Sequence, residues 1–427
     1  MRKMRDSGIE WVGAIPAAWG VHRIASHFQE IKEKNTANAY SNALQFKMGK
    51  IIAKPQKWDE DETNETYSAY TVVHPNTIMI NGLNLEFDFV TQRVARVECN
   101  GIITSAYIAL SPRDDINAEY ICYLLKSYDA CRAFHSMGRG LRKILSYSEL
   151  KNKPIVVPPL AEQERIAAFL DAECAEIDAV LEKTRASIEE YKKLKQAVIT
   201  QAVTKGIRGD RPMKDSGIEW IGEIPAGVPI SRVGLHFDIV LGKMLCSAPA
   251  DDNYTLESYY CAADVHFEGL SNGEKKKMWF SPDEKEQYCV KNGDLLVVEG
   301  GAGAGGCAIA VSTDVPIYIQ NSIMIVRSKG ISNIRYLRYL LECLVKKGYI
   351  DVVCNKATIP HFTKDKLANV PFIVFSQSEQ KEIAEYLNEK CAGIDALIAK
   401  KQQYLIEIEN YKKSLIYEYV TGKKEVV

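Results

Sequence analysis

The stretch from Leu160 to Lys205 contains neither glycine nor proline, and its apolar residues recur at alternating steps of three and four. This spacing is typical of a helix in a coiled coil. With Leu170 at heptad position d, the d series continues through Ile177, Thr184, Tyr191 and Val198, and the a series is Cys174, Leu181, Ile188, Lys195 and Ala202. A helix of this length is a rod of roughly 65 Å. Such a rod cannot bury its narrow apolar seam alone, so the chain has to supply a partner for it.

The partner that the sequence predicts is a second copy of the same motif. A shift of 217 positions places Glu162-Gln163 on Glu379-Gln380 and keeps the heptad phase. Even the lysine at an a position recurs, Lys195 as Lys412. We therefore expect the two helices to form an intramolecular antiparallel pair. The alternative interpretation is that each is a long surface helix on its own domain.

A shorter motif is also repeated. The segment MRDSGIEWVGAIPAAW, which begins at Met4, returns as MKDSGIEWIGEIPAGV from Met213 to Val228, at an offset of 209. We expect its apolar residues to anchor a short extended segment on a larger body, with turns at the Ser-Gly and Ile-Pro pairs. The expected anchors are Trp11 and Trp220, Ile15 and Ile224, and Pro16 and Pro225. An exposed ligand-binding role for the tryptophans is the alternative.

Two longer blocks lie between the repeated motifs. In the first, runs of β-forming residues precede a predicted helix from Asn117 to His135 and a basic glycine loop at residues 138–143. The predicted β runs are Thr77–Ile80, Phe87–Val97 and Ser105–Leu110. The second block repeats this plan at an offset of 217 or nearly so, but few of its residues are identical to those of the first. Two similar folds are therefore expected to carry two different surfaces.

The order of these motifs predicts the domain organisation. We expect a repeat segment (1–16), a first domain (17–157), a central long helix (158–206), a linker with the second repeat segment (207–225), a second domain (226–374) and a C-terminal long helix (375–427). The predicted fold class is α+β. Two similar mixed α/β domains are separated by a long antiparallel two-helix coiled coil, with pseudo-two-fold symmetry.

The composition limits the kind of protein. A length of 427 residues suits two domains, and a net charge of −1 means that any contact with nucleic acid has to use local basic surface. The 11 cysteines contain no CxxC pair, which argues against a structural zinc site and against a disulfide framework. Because we find neither an apolar run of membrane-spanning length nor a signal peptide, we expect a cytoplasmic protein without a membrane span.

The sequence lacks the common catalytic motifs. Residues Gly301–Gly306 match the dinucleotide pattern GxGxxG, but the following residues predict a strand rather than a phosphate-binding helix, so a turn between two strands is the better interpretation. The sequence contains no Walker motif, no HExxH and no Asn-Pro-Pro-aromatic tetrapeptide, and its seven histidines are dispersed. We therefore expect a protein that is not an enzyme and uses no cofactor or metal.

The repeated IEWxGxIP segments, the PPLxEQxxIAxxLD start of the first long helix and the closing AVTKG and YVTGK give the chain a family resemblance. It resembles the specificity subunit of type I restriction-modification enzymes over its whole length. The departures are Ser376-Gln-Ser in place of a proline-rich helix start and Lys401 at a d position.

This resemblance implies what the protein binds. The two blocks are expected to be target-recognition domains that read an asymmetric, bipartite site in double-stranded DNA. The expected protein partners are two methyltransferase subunits, which methylate adenine using S-adenosylmethionine, and two restriction subunits, which translocate and cut DNA using ATP. The half-site centres should lie roughly 34 to 36 Å apart, about one turn of the duplex.

Two other classes of protein fit the sequence less well. A coiled-coil scaffold with two protein-binding domains explains the helices but not the sparse identity between the blocks. A stand-alone methyltransferase lacks its motifs.

The candidate DNA-binding residues are local groups of cations in the two blocks. They are Arg139, Arg142 and Lys143 in the first block, and Lys275, Lys276, Lys277 and Lys364 in the second. A solvated charged face without a partner is the alternative for each of them.

Overall fold

The computed structural model describes residues 2–36, 38–47, 49–55, 66–88, 92–138, 143–354 and 360–426. The chain divides into two compact units, Met1–Arg185 with Gln402–Val427, and Ala186–Lys401. Each unit contains one repeat segment, one mixed α/β domain and a part of each long helix.

The long helices span Leu160–Lys205 and Gln377–Val420. A glycine with a left-handed backbone conformation follows each helix. Gly206, with φ 75°, comes directly after the first helix, and Gly422, with φ 69°, comes two residues after the second. Other residues resist this conformation. A Cβ atom on Gly422 would also lie 2.4 Å from the Pro16 ring. Glycine is therefore required at this helix end for its backbone conformation and for its small volume.

The pattern Ser376–Gln–Ser–Glu379 predicts a capping box at the start of the second long helix. Half of this box forms, because the Ser376 hydroxyl accepts a hydrogen bond from the Glu379 N–H at 3.3 Å. The Glu379 carboxylate instead binds Arg211, which lies in the linker before the second repeat segment. A tertiary ion pair thus replaces the expected local bond.

The predicted a and d positions lie on the inner faces of the long helices. In the first unit, Leu170 and Leu415 belong to one hydrophobic core. In the second unit, Ala202 and Leu387 share another. Within each unit, the two helices therefore pack against each other as well as against the domain.

The domain of the first unit is built on an antiparallel four-stranded sheet of order β4-β11-β8-β9, with the two-stranded ladders β1-β2, β3-β12, β5-β6 and β7-β10. The strands are β1 Met4–Asp6, β2 Ala14–Pro16, β3 Gly20–Arg23, β4 Phe28–Glu30, β5 Leu44–Lys47, β6 Lys50–Ala53, β7 Thr71–Val73, β8 Ile78–Ile80, β9 Val94–Arg96, β10 Gly101–Ile103, β11 Ile108–Pro112 and β12 Pro154–Val157. The shorter helices are Ile24–His27, Ala118–Ala130, the 3-10 turn Ala133–Ser136, and Tyr147–Leu150.

Two predicted elements of this domain differ from the structure. The expected helix Asn117–His135 is divided, because Arg132 adopts a left-handed φ of 59° between Ala118–Ala130 and the following 3-10 turn. Asn117 is the N-cap of the first part, and its side chain accepts from the N–H groups of Glu119 and Tyr120.

The expected β run Phe87–Val97 contains a described strand only at β9. Its Arg93 is completely buried. The guanidinium donates to carbonyl groups of the preceding loop, at Asn81, Leu83, Asn84 and Asp88. The loop is therefore held by a side chain rather than by strand pairing.

The second unit has an equivalent sheet of order β16-β24-β21-β22, the ladders β13-β14, β15-β25 and β18-β19, and a further sheet β20-β17-β23. Its strands are β13 Met213–Asp215, β14 Glu223–Pro225, β15 Ile230–Arg232, β16 Phe237–Leu241, β17 Thr255–Tyr260, β18 Val265–His266, β19 Gly269–Leu270, β20 Lys276–Phe280, β21 Leu295–Val298, β22 Cys307–Ile309, β23 Tyr318–Ile319, β24 Ile323–Ser328 and β25 Pro371–Ile373. The shorter helices are Val233–His236, the 3-10 turn Ala262–Asp264, Pro282–Tyr288, Ile334–Lys346, Tyr349–Val353 and Lys364–Ala368.

The repeat segments are anchored as predicted. Ile15 and Ile224 are completely buried. Trp11 packs edge-on against Tyr128 at 5.7 Å between ring centroids, and Trp220 packs in the same way against Tyr349 at 5.4 Å. Core packing therefore explains the repeated tryptophans.

Candidate nucleic-acid interface

The glutamine of the repeated Glu-Gln motif joins each domain to its long helix. In the first unit, buried Gln163 accepts a hydrogen bond from the Asn117 N–H at 2.9 Å and donates one to the Pro158 carbonyl at 2.9 Å. Gln380 does the same in the second unit with Asn333 and Phe375, both at 2.8 Å. The motif therefore serves folding, since it satisfies polar backbone groups that burial would leave unpaired.

A tyrosine on each domain helix makes a second joint. The Tyr120 hydroxyl lies 3.0 Å from the Val420 carbonyl and 3.2 Å from the Val156 carbonyl. The Tyr336 hydroxyl lies 3.0 Å from the carbonyl of Val203 and 3.2 Å from that of Ile373. Burial raises the pKa of both phenols well above its ordinary value, so both remain neutral donors. The sequence analysis missed this pair, although the recurrence of the two tyrosines in the predicted domain helices would have revealed it.

The glutamate of the same motif binds an arginine near the repeat segment. Glu162 accepts from Arg2 and, at 3.0 Å, from the Trp19 indole N–H. Glu379 accepts from Arg211. Because these repeated polar motifs are engaged in holding each unit together, the surfaces that differ between the domains are the better candidates for recognition.

Of the three cationic candidates in the first domain, the structure describes only Lys143. Arg139 and Arg142 are outside the described residues. Lys143 is exposed and has a left-handed φ of 41°, which is uncommon for a long side chain. Its carbonyl accepts a hydrogen bond from the Leu85 N–H at 3.3 Å, so this position is tied to the loop that Arg93 holds.

In the second domain, Lys275 is engaged inside the protein. Its ammonium donates to Asp264 at 3.1 Å, to the Ser271 carbonyl at 2.7 Å and to the Gly273 carbonyl at 3.0 Å, and it lies 5.3 Å from the Tyr260 ring centroid. Burial acts to raise the pKa of Asp264, but the hydrogen bonds it accepts, including that from Lys275, hold this pKa below its ordinary value. This geometry gives Lys275 a role in holding the turn before β20.

The next two lysines are placed differently. Lys276 and Lys277 begin β20, and both are exposed. Lys364 is exposed at the first position of the helix Lys364–Ala368. Among the residues that the structure describes, none of these three ammonium groups makes an ion pair. They are available to an anionic ligand, and Lys277 lies directly opposite Ser258 in the ladder with β17.

The glycine-rich segment Gly301–Gly306 is a turn between two strands, as predicted. It connects β21 and β22, which pair antiparallel. Gly305 has φ 81°, and a Cβ on it would lie 2.9 Å from Ile350 and Val345 side-chain atoms. The glycines thus allow a tight turn against the core.

Two histidines and an aspartate form a hydrogen-bonded series, which the dispersed positions of the histidines in the sequence did not predict. His22 Nδ1 lies 2.7 Å from His27 Nε2, and His27 Nδ1 lies 2.8 Å from Asp115. Over the described ranges, no serine, threonine or cysteine side chain is hydrogen-bonded to His22, so the arrangement lacks the nucleophile of a catalytic triad.

The residues that the structure describes hold no cluster of three or more histidine, cysteine or acidic side chains suited to a metal ion. They also contain no helix with an apolar stretch of the length that crossing a bilayer requires.

Two units with the same sheet order and the same helix joints, but with different surface elements, define a protein with an internally repeated fold. The family model described as the type I restriction modification DNA specificity domain matches residues 99–190 and 268–409, which is more than half of the chain. The chain belongs to this family of type I restriction-modification specificity subunits.

Known sequences support the same assignment. The specificity subunit of type I restriction enzyme MjaVIII from Methanocaldococcus jannaschii is 25% identical over 433 residues, with 96% of this chain and 94% of the relative covered. The specificity subunit of the StySPI enzyme from Salmonella potsdam is 23% identical, over 74% of this chain and 67% of the relative.

Solved structures share the fold. A chain from a type I R-M system, solved to describe its complex assembly and conformational transition, aligns with a TM-score of 0.74 at 16% identity over 96% of this chain and 99% of its own. The HsdS subunit from Thermoanaerobacter tengcongensis aligns with a TM-score of 0.53 at 17% identity, over 96% of this chain and 98% of its own.

Proposed function

We propose that this chain is the DNA recognition subunit of a type I restriction-modification complex. It reads an asymmetric bipartite site, one half with each domain, and it docks adenine methyltransferase subunits. The chain itself is non-catalytic, and methylation and ATP-dependent cleavage belong to its partners. We further propose pseudo-two-fold symmetry between the two domains, by which both would read the same face of the duplex.

The observation that carries this proposal is the contrast between framework and surface. Both domains use the same order of four strands in the central sheet. Outside this sheet, the first has the ladders β5-β6 and β7-β10, whereas the second has the sheet β20-β17-β23. A constant frame with variable additions is what two different DNA half-sites require, because base-edge contacts depend on local surface geometry.

The electrostatics agree with recognition through small basic patches. A net charge of −1 gives no general attraction to DNA. Exposed Lys143, Lys276, Lys277 and Lys364 are candidates for phosphate contacts. Arg139 and Arg142 join Lys143 in sequence and remain candidates on that basis.

The proposed partners are double-stranded DNA, two methyltransferase subunits and, in the full complex, two restriction subunits. The families of the relatives support these partners, since the relatives are named as specificity subunits of restriction enzymes. The repeated helix joints support two equivalent docking positions, because each unit carries the same contacts between domain and long helix.

Random-site selection tests the proposal. The full chain, alone and assembled with its methyltransferase subunits, is incubated with duplexes that contain a randomised region, and bound sequences are determined. We expect two short specified elements of different sequence, separated by an unspecified spacer. A parallel methyl-transfer assay should show adenine methylation only when the methyltransferase subunits are present.

The alternative is a scaffold with two protein-binding domains. It predicts stable binding of the methyltransferase subunits with no enriched DNA sequence in either form of the protein. Methyl transfer by the isolated chain would contradict the non-catalytic assignment instead.

A further inference from the structure

We propose that Met244 and Leu245 form an apolar wedge that enters duplex DNA at one base step, with Lys277 contacting a phosphate beside it. This inference rests on the proposed function and assigns the wedge to the half-site read by the second domain. These two consecutive large apolar side chains are exposed, Met244 by 75% and Leu245 by 63%. Burying side chains of this kind against a binding partner is favourable, because it removes apolar surface from water.

The residue before the wedge is firmly fixed. The Lys243 N–H donates to the Ile319 carbonyl at 3.1 Å, and the Lys243 carbonyl accepts from the Asn321 N–H at 2.8 Å. Its largely buried ammonium binds Glu284 and lies 5.3 Å from the Phe280 ring centroid. A side chain can separate two stacked bases only if the backbone that carries it is held in place.

The residue after the wedge is fixed as well. The Cys246 carbonyl accepts a hydrogen bond from the Trp279 N–H at 3.1 Å, which ties the segment to β20. Before the wedge in sequence, a Cβ on Gly242 would lie 2.4 Å from the Gln320 carbonyl oxygen, so the backbone of Gly242 is in close contact with that of Gln320. Met244 and Leu245 are therefore an exposed pair between two anchored residues rather than part of a loose loop.

Strand β20 and its neighbour β17 carry further apolar and cationic groups. Trp279 lies opposite Leu256 in the ladder of β20 with β17, and Leu256 is 49% exposed. Lys277 is two residues from Trp279, so it lies on the same face of the sheet about 7 Å away along the strand. One carboxylate of this ladder, that of Glu257, is paired with the Lys285 ammonium at 3.5 Å.

The first domain has no such wedge at the equivalent position. The offset of 209 that relates β4 to β16 places Asn35 at the position of Met244. Asn35 is buried, and its side chain donates to the Tyr40 carbonyl and accepts from the Tyr40 N–H. At this aligned position the described residues therefore differ, with a buried asparagine in the first domain and an exposed methionine in the second, as expected for a device that distinguishes two half-sites.

DNA is favoured over a protein ligand because of the charge beside the apolar pair. Proteins that partly unstack DNA insert methionine, leucine, isoleucine, phenylalanine or proline between base steps and hold the adjacent phosphates with cations. Lys276 and Lys277 are exposed and make no ion pair within the described part of the chain. Lys277, which lies on the same face as Trp279, supplies the cation that such an insertion needs.

The experiment uses the site selected by the wild-type protein. 2-Aminopurine, whose fluorescence rises when it is unstacked, is placed at successive positions of the duplex, and affinity is measured in parallel. For the wild type, we expect a rise at one step within a single half-site. The double variant Met244→Ser/Leu245→Ser should lose this rise and bind about tenfold more weakly, since the apolar contact is removed.

The control is Leu235→Ser, because Leu235 is 65% exposed in the same unit but lies outside the wedge. It should retain the wild-type fluorescence profile and affinity. If the double variant does not fold, as judged by its melting temperature, the two single variants carry the same test.

Three results would overturn the inference. A folded double variant with the wild-type fluorescence profile shows that no wedge enters the DNA. Loss of methyltransferase binding with unchanged DNA binding shows that the pair is a protein-docking surface. A wild-type protein that selects no DNA site overturns the proposed function itself, which distinguishes that failure from the failure of the wedge alone.

Discussion

The Lys195 ammonium lies 2.7 Å from the carboxylate of Asp395, across the two long helices in the second unit. In the first unit, Lys412 lies 2.6 Å from Asp178. Lys412 and Asp395 are the repeat counterparts of Lys195 and Asp178, so the same pair forms twice with the helices exchanged. An exposed ion pair is worth only about 0–1 kcal/mol, but a charge at a seam position fixes register.

The other lysine in the seam is also accommodated. Lys401 occupies a d position, where an aliphatic residue is usual. Its ammonium lies 5.7 Å from the ring centroid of Tyr191, at a d position of the first long helix. This cation–π contact explains how the helix pair tolerates a lysine at that level.

Gln380→Leu should destabilise the second unit by about 1–3 kcal/mol, because the half-buried Asn333 N–H and the buried Phe375 carbonyl would lose their partners. The matched control is Gln377→Leu, since exposed Gln377 donates only to the Gly330 carbonyl at 3.1 Å. We expect the control to change the free energy of unfolding by less than about 0.5 kcal/mol. Urea unfolding measures both variants. Equal effects would show that Gln380 contributes no more to the free energy of unfolding than the exposed Gln377.

Thr200→Tyr should stabilise the protein by about 0.5–2 kcal/mol, because the tyrosine ring would bury apolar surface along an open groove. The repeat counterpart of Thr200 is Tyr417, whose hydroxyl donates to the Val12 carbonyl at 2.9 Å. In the second unit, Thr200 and Ile221, the counterpart of Val12, instead line an open groove of about 770 Å³.

Thermal unfolding of Thr200→Tyr should be compared with that of Thr200→Val, which removes the hydroxyl without filling the groove. A tyrosine variant that melts no higher than the valine variant would contradict this account.

Lys277→Ala should weaken binding to all DNA sequences and reduce the slope of log affinity against log salt concentration by about 1, as the loss of one phosphate contact does. Lys275→Ala should behave differently, because its ammonium holds Asp264 and the turn before β20. We expect it to lower the melting temperature and leave the slope unchanged. Titrations at several salt concentrations check both, and an unchanged slope for Lys277→Ala would remove Lys277 from the interface.

Replacing residues 17–157 with the corresponding domain of another specificity subunit should change one half of the selected DNA site and preserve the other. The reason is that each domain is proposed to read its half-site with its own surface elements. Random-site selection on the chimaera provides the measurement. Simultaneous change of both halves would show that the domains do not act as separate reading modules.

Inserting one heptad after Thr184 and one after Lys401 should lengthen the paired helices by roughly 10 Å while preserving the a and d phase. If the helices set the spacing of the two half-sites, the spacer in the DNA should grow by about three base pairs, taking 3.4 Å per pair. The specified bases should stay the same.

An insertion of four residues at the same places is the control, because it breaks the seam and should reduce stability before it alters specificity. Selected sites with an unchanged spacer, from a folded heptad variant, would show that the helices do not measure the DNA.

The sequence by itself determined the features that depend on local periodicity or on repetition. The heptad spacing around Leu170 and Leu387 predicted two helices and their buried faces, since the side-chain period of a helix is a local property. The two offsets predicted that one framework would occur twice. The residues after Gly306 predicted a strand, and the structure places β22 there.

Only the tertiary structure decided which groups meet across long distances in the chain. Tyr120 reaches the Val420 carbonyl from 300 positions away, and Glu379 binds Arg211 rather than capping its own helix. Lys275 and Lys277 are two residues apart in one basic run, yet one is bound inside a turn and the other is exposed. A residue's type shows what bonds it can make, but whether it makes them depends on which partner the fold brings within about 3 Å.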